Sequence, residues 1–316
     1  VKSLNILLLR LFFKFLLGGL VLKKLIIFLI IVTTMTISGC TKLDKLNKNQ
    51  TEELFTAVEE ADLEQVKILT EENIDLESKN DSGETVFIMS LKYGLHDIAN
   101  LLLESGAKSN YEISEQNPIP ALSLSISTTP DIKDTVDSAS LDLIDQLLNN
   151  VEVDQKDMTG STALHYASRK GSAHVVNKLL DAGADPTITN SLAETPLLLA
   201  SARGHSEVVK ALIEKGSNVN EIDSNGWSPL MLAISNDHIE AALSLIKKEA
   251  NVNYQTQNEG YTALMIASEY GYQESVRILL ENGAEKSLKD NLGEQAIDKA
   301  KKWNHDEIVS YLNGEK

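Results

Sequence analysis

One thiol and six imidazoles are the most reactive side chains of this 316-residue chain, and their spacing decides what chemistry is open to it. Cys40 is the sole cysteine; it follows Ser38-Gly39 at the end of an apolar run over residues 25–37. A single cysteine excludes an intrachain disulfide framework, a Cys-based zinc or iron–sulfur site and a CxxC redox pair. It leaves one thiol available for covalent modification. The histidines form no HExxH and no His/carboxylate cluster with ligand spacing, so no metal site is expected. There is no GxSxG elbow and no phosphate-binding glycine loop. Asp223-Ser-Asn-Gly226 begins like a calcium loop but lacks the later ligands and the terminal Glu. The carboxylates scatter in the manner of solvated helix surfaces. We expect no catalytic residues, no cofactor and no enzyme.

What precedes Cys40 explains it. Lys2, Arg10, Lys14, Lys23 and Lys24 stand in a stretch without acids, and the apolar run from Leu25 to Ile37 follows directly. That run falls short of the roughly 20 residues that a spanning helix needs, but suits the core of a signal peptide. Ile37-Ser38-Gly39-Cys40 resembles the lipobox of bacterial lipoprotein precursors. The resemblance implies cleavage between Gly39 and Cys40, a thioether-linked diacylglycerol (with palmitate-type acylation) on Cys40, and a membrane contact made only through that anchor. Two or more acyl chains hold a protein stably, where one binds marginally. The competing reading is an uncleaved signal anchor with an inert cysteine. The chain starts with Val, and a true start near residue 21 would leave a signal of ordinary length. Thr41 after the cysteine, by resemblance to a sorting rule of enteric bacteria, favours the outer membrane, on its periplasmic or surface face.

Beyond a polar tether at 40–50 the chain repeats itself. Thr162-Ala-Leu-His-Tyr-Ala167, Thr195-Pro-Leu-Leu-Leu-Ala200, Ser228-Pro-Leu-Met-Leu-Ala233 and Thr262-Ala-Leu-Met-Ile-Ala267 recur at a near-constant interval. Weaker copies begin at Glu52, Thr85, Pro120 and Gln295. The pattern resembles the ankyrin repeat, T-P-L-H-x-A at a period of about 33. The resemblance implies an all-α solenoid of about eight helix-turn-helix repeats with short β-hairpin loops, spanning 51–313. No single unit buries its apolar face; only stacking does.

The residue types fit these elements. Thr195 or Ser228 can cap a first helix, with Pro196 or Pro229 at a position where a missing N–H costs nothing. Gly171, Gly204 and Gly271 suit the interhelical turn, and Asp157-Met-Thr-Gly160 and Asp223-Ser-Asn-Gly226 suit hairpin tips. Ala193 and Asp237 replace glycines at two such turns, which are expected to be looser. The third repeat holds an insertion near 127–138, read as a surface loop between its two helices. All six histidines take repeat positions: His165 in the T-P-L-H slot, His205, His238 and His305 ten residues after the T slot, and His96 and His174 within two residues of that place.

Charge narrows the partner. With 29 Lys+Arg against 46 Asp+Glu and a pI near 4.8, the chain is a poor nucleic-acid binder. Removal of residues 1–39 leaves 24 basic residues and a net charge of −22, compatible with fast capture of a basic protein. In ankyrin arrays partners usually meet the hairpin tips and the exposed first-helix positions. Those slots here hold Trp227, Tyr261, Tyr270 and Trp303, with Arg169, Lys170 and Arg203 as a basic stretch in mid-array. Tyr93 and Lys302 share them. Trp, Tyr and Arg dominate interface hot spots. The expectation is a concave protein-binding face on a lipid-anchored monomer of the bacterial envelope, a scaffold for an unidentified protein. The other reading is an inhibitor or immunity-type protein that occludes a toxin or hydrolase. Against the patch stands a plainer account, in which Trp303 packs within the end cap and the other aromatics are scattered surface residues.

Overall fold

The structure, a computed structural model, describes residues 49–72, 74–109, 120–129 and 137–314. The chain divides into two units, residues 1–75 and 76–316. Cys40, the signal segment and most of the tether lie outside the described residues.

The described part of the first unit is one helix pair. Helix α1 covers residues 49–59 and α2 runs Leu63–Thr70. Ala61 takes a positive φ between them, and Asp62 caps α2 by accepting from the Gln65 N–H at 3.0 Å. Leu54, Ala57, Val58, Val66 and Leu69 are buried.

The second unit, over its described residues, is a stack of seven helix pairs. Its first helices are α3 (Val86–Lys92), α5 (Ala121–Thr128), α7 (Ala163–Lys170), α9 (Pro196–Arg203), α11 (Pro229–Ser235), α13 (Ala263–Tyr270) and α15 (Ala296–Lys302). Their partners are α4 (His96–Glu104), α6 (Ser138–Leu148), α8 (Ala173–Asp181), α10 (Ser206–Glu214), α12 (Ile239–Lys247), α14 (Gln273–Glu281) and α16 (Asp306–Asn313). Each first helix packs on the next through the whole series, and near the C-terminal end the second helices pack more loosely. The reason is side-chain size. Ala167, Ala200, Ala233, Ala267 and Ala300 are fully buried at one position of successive first helices and allow close approach. Around them Leu164, Leu197, Leu230 and Leu264, with Val176, Val209 and Leu279 from the second helices, make one continuous apolar layer.

The caps form where the sequence puts them. Thr195 Oγ1 accepts from the Leu198 N–H at 3.3 Å, Ser228 Oγ from Met231 at 3.3 Å and Thr262 Oγ1 from Met265 at 3.2 Å. Pro196 and Pro229 occupy the first helical turn. Among the described residues there is no strand. The expected β-hairpins are hydrogen-bonded turns, such as Asp157 N–H to Ser161 O at 2.9 Å and Asp223 N–H to Trp227 O at 3.0 Å. Helix α5 ends at Thr128 and α6 starts at Ser138, so the insertion joins two helices of one pair; its residues 130–136 lie outside the described set.

The turns that lack glycine keep the same geometry as those that have it. Ala193 and Asp237 both adopt φ of 56°, and their N–H groups close the turns on Asn190 O and Ile234 O at 3.0 Å. The left-handed conformation costs a non-glycine residue about 1–2 kcal/mol. The penalty therefore appears as strain and not as a looser turn.

Candidate partner-binding face

The hairpins are built by one side chain each. Asp157, Asn190, Asp223 and Asp290 stand at one equivalent position ahead of four T slots. Each turns its Oδ1 back to accept the N–H groups two and four residues on, at 2.8–2.9 Å. Side-chain acceptance of this kind fixes the turn without any strand. Neighbouring tips are also tied together: Ser191 N–H donates to Thr159 O at 2.8 Å, and Asn291 N–H to Glu259 O at 2.9 Å. On this platform Met158, Leu192 and Leu292 are exposed, Leu292 at 81%. These apolar tips were not among the sequence candidates. Aligning the residues three and four before each T slot exposes them, because turns otherwise favour polar residues there.

The histidines are structural bolts. His165 Nδ1 accepts from the Thr162 N–H at 3.1 Å, and Nε2 donates to Glu194 O in the next hairpin at 3.1 Å. Burial holds its pKa below the ordinary histidine value. His205 Nε2 donates to Arg169 O, and His305 Nε2 to Glu269 O, each at 3.0 Å across a repeat boundary. The space for these rings exists because the preceding repeat carries glycine. A Cβ on Gly171 or Gly271 would overlap the ring of His205 or His305, and one on Gly204 that of His238. Where the glycine is replaced by Asp237, the next repeat carries Tyr272 in place of histidine, and Asp237 Oδ1 accepts from Ser275 Oγ at 2.9 Å. Gly and His therefore come and go as a pair, read across these adjacent repeats.

The partner-facing candidates fall in two rows. At the C-terminal ends of the first helices stand Tyr93, Arg169, Lys170, Arg203, Tyr270, Lys302 and Trp303; at the hairpin ends stand Trp227 and Tyr261. Tyr93, Tyr270 and Trp303 are more than half exposed, Arg169, Arg203 and Lys302 are exposed, and Trp227 is half-buried. Tyr270 stacks on Tyr272 with ring centres 5.6 Å apart. The Arg169 guanidinium lies 4.9 Å over the Tyr166 ring, whose hydroxyl donates to Asp157 at 2.5 Å. Burial and that carboxylate push the Tyr166 pKa up to about 12. Lys170 is engaged elsewhere: its Nζ donates to Thr129 O at the end of α5 at 2.6 Å.

Tyr261 belongs to an internal network. Its hydroxyl donates to Glu269 Oε2 at 2.9 Å, and the Lys299 ammonium lies 4.6 Å from its ring centre. Lys299 is 2% exposed and bonds Asp290 Oδ2 at 2.6 Å and Glu294 Oε2 at 2.5 Å. Burial alone would lower the Lys299 pKa, but the two carboxylates outweigh it and raise it. The signal for this cluster was in the sequence. Lys299 stands four residues after the T slot, where Leu199, Leu232 and Ile266 stand in other repeats.

Among the described residues no group of three His, Cys, Asp or Glu side chains is placed to hold a metal ion, and no helix is long and apolar enough to cross a membrane. The family model for ankyrin repeats (3 copies) matches residues 135–190, 171–256, 199–290 and 250–316, together more than half of the sequence. This chain belongs to the ankyrin-repeat family. Over 130 residues it is 34% identical to the mouse (Mus musculus) B-cell lymphoma 3 protein homolog, covering 41% of this chain and 27% of that protein. A stretch of 155 residues is 34% identical to the Caenorhabditis elegans ankyrin repeat and KH domain-containing protein mask-1, covering 49% of this chain and 6% of that one. The Drosophila melanogaster neurogenic locus Notch protein is 37% identical over 73 residues, 23% of this chain and 3% of Notch. The matches thus span about a quarter or less of each relative's length. The family matches begin at residue 135, so the segment around Cys40 is read on its own sequence.

Proposed function

We propose that this ankyrin array is a non-enzymatic protein-binding scaffold, held at the bacterial cell envelope by a lipid on Cys40. One observation carries the binding half. The ends of the first helices present Arg169, Arg203, Tyr270 and Trp303 to solvent, while His165, His205 and His305 near them are spent on holding repeats together. A face with rigid support and exposed aromatic and guanidinium groups is suited to binding. The anchoring half rests on Ser38-Gly39-Cys40 following its apolar run, and an outer-membrane site is the version we favour.

The two halves are tested separately. Mass spectrometry of the membrane-bound chain is expected to find Cys40 as the first residue, carrying diacylglycerol, and Cys40→Ala is expected to lose it. An unmodified Cys40 within an intact precursor would sink the anchor. For binding, Tyr270→Ala with Trp303→Ala is expected to weaken partner capture from membranes more than tenfold with little change in melting temperature. These two are better probes than Tyr261, whose removal also opens the Lys299 network.

A further inference from the structure

The net charge of −17 points toward a basic partner, but the charges are not evenly spent. On the second helices, cations meet carboxylates of the preceding repeat: Lys178 with Asp145 at 2.6 Å, Lys215 with Asp181 at 2.8 Å and Lys248 with Glu214 at 3.3 Å. On the first helices and their hairpins several acids are already occupied. Glu269 accepts from Tyr261, Glu294 from Lys299 and Glu84 from Lys92. Arg169 and Arg203 have no carboxylate partner among the described residues. A partner that covers them must supply anions, because a guanidinium desolvated without a counter-charge is strongly unfavourable. Carboxylates suit it through bidentate hydrogen bonds.

We propose that the occupant of this face is an extended acidic peptide segment of a protein partner, with a carboxylate on each of Arg169 and Arg203 and an apolar or aromatic side chain on the Tyr270–Tyr272 pair. The proposal rests on the scaffold reading above. The spacing follows from geometry. Packed helices lie about 8–10 Å apart and an extended chain rises about 3.3 Å per residue, so one repeat corresponds to about three peptide residues. Arg169 and Arg203 lie on consecutive first helices, α7 and α9. The two acids are therefore about three residues apart. Tyr270 ends α13, two repeats beyond Arg203, which sets the apolar residue about six positions further along. Arg169 is pre-oriented by its stack on Tyr166. A nucleic acid fits less well: its affinity grows with the number of phosphates neutralised, and this face offers few free cations within an acidic chain.

The experiment selects from a displayed library of random dodecapeptides on the full-length chain in detergent. Binding is then compared on Arg169→Glu, Arg203→Glu, Arg203→Gln and the Tyr270→Ala/Trp303→Ala pair, with a single-stranded oligonucleotide as a second probe. Enriched peptides are expected to carry two acids at that spacing and to bind each charge-reversed variant at least tenfold more weakly. Arg203→Gln is expected to fall between, with unchanged melting, which separates loss of charge from loss of fold. Neutral or basic enriched peptides, or a change below twofold on reversal, overturn the proposal. If such peptides still need Tyr270 and Trp303, the scaffold reading survives alone. No enrichment at all overturns both, and a single strand that binds at the arginines in place of peptides assigns the face to nucleic acid.

Discussion

The two helices of each pair treat charge in opposite ways. Second helices hold several of their cations in solvent-accessible ion pairs that step from repeat to repeat, Asp145–Lys178, Asp181–Lys215 and Glu214–Lys248. First helices bury a cation completely, as at Lys299, pair one with a hairpin acid, as at Lys92, or leave it exposed without an acid among the described residues, as at Arg203. Exposed pairs contribute little to stability because water screens them and long side chains lose freedom in forming them. A buried pair is different: removing one member strands the other in a medium that solvates it poorly. The second-helix surface thus has charge suited to solubility, and the first-helix side has charge that is structural at Lys299 and available at Arg169 and Arg203.

The largest break in that contrast is expected at Lys299. Lys299→Met keeps the volume and restores the apolar residue type found at the same position of other repeats, but leaves Asp290 and Glu294 without their cation. Such losses are of order 3–5 kcal/mol. Denaturant unfolding should show a loss of about 3 kcal/mol, at the low end because Glu294 is partly solvated and relaxes. A triple variant that also neutralises both acids, Asp290→Asn with Glu294→Gln, is expected to recover much of it. If Lys299→Met costs only about 0.5 kcal/mol, the scale of an exposed pair, this cluster is no different from the second-helix ladder.

A partly buried carboxylate at the cap of a first helix gives the next test, because it joins no ion pair among the described residues. Glu221 accepts from the hydroxyl of Thr195, the cap of α9, and burial pushes its pKa up to about 7. The sign follows from linkage. Below about pH 4.5 the group is protonated whether the chain is folded or not and contributes no difference. Between there and pH 7 the unfolded chain ionises and the folded one resists, so stability falls as pH rises. Glu221→Gln is expected to raise stability by about 1–2 kcal/mol at pH 7.5, after discounting for partial solvent exposure, and to change little at pH 4.5. An equal gain at both values would show that ionisation is not the cause. His165 runs the other way: its lowered pKa means that stability falls as pH drops below about 6.5, so the two groups oppose each other just below that pH.

Much of this was legible in the sequence, for a definite reason. A T slot recurring at one fixed period sets helix starts, caps and turns, since each is a local event repeated many times. Thr195 and Ser228 cap as expected, Thr262 does the same, and the exposed positions of Arg203, Tyr270 and Trp303 follow from the repeat register. What the register did not convey was contact between repeats. Tyr261 shares its slot with Trp227, yet it is held by Glu269 and Lys299, one from its own repeat and one from the next. Lys170 shares its slot with Arg203, yet its ammonium reaches back to Thr129. Slot statistics treat each repeat as independent, whereas a lysine that stands where other repeats carry Leu199, Leu232 or Ile266 changes the fate of a tyrosine one repeat earlier. Gly171 and His205 show that such coupling can be read when both members are compared across the boundary.

The smallest expected effect belongs to the second-helix ladder, and its smallness is what sharpens the contrast. Lys215 and Asp181 have 47% and 71% of their side-chain surface in solvent despite a 2.8 Å contact. Lys215→Ala should cost less than about 0.5 kcal/mol, and the cost should shrink further in concentrated salt as screening removes what attraction remains. A double-mutant cycle with Asp181→Ala isolates the pair from the lysine's methylene packing. If the coupling instead exceeds about 1 kcal/mol and survives salt, the ladder is a structural spine and not surface decoration. The charge difference between the two helix rows would then reflect two kinds of support. Arg169 and Arg203, which join no ion pair among the described residues, would stand apart from both and keep their charge for a partner.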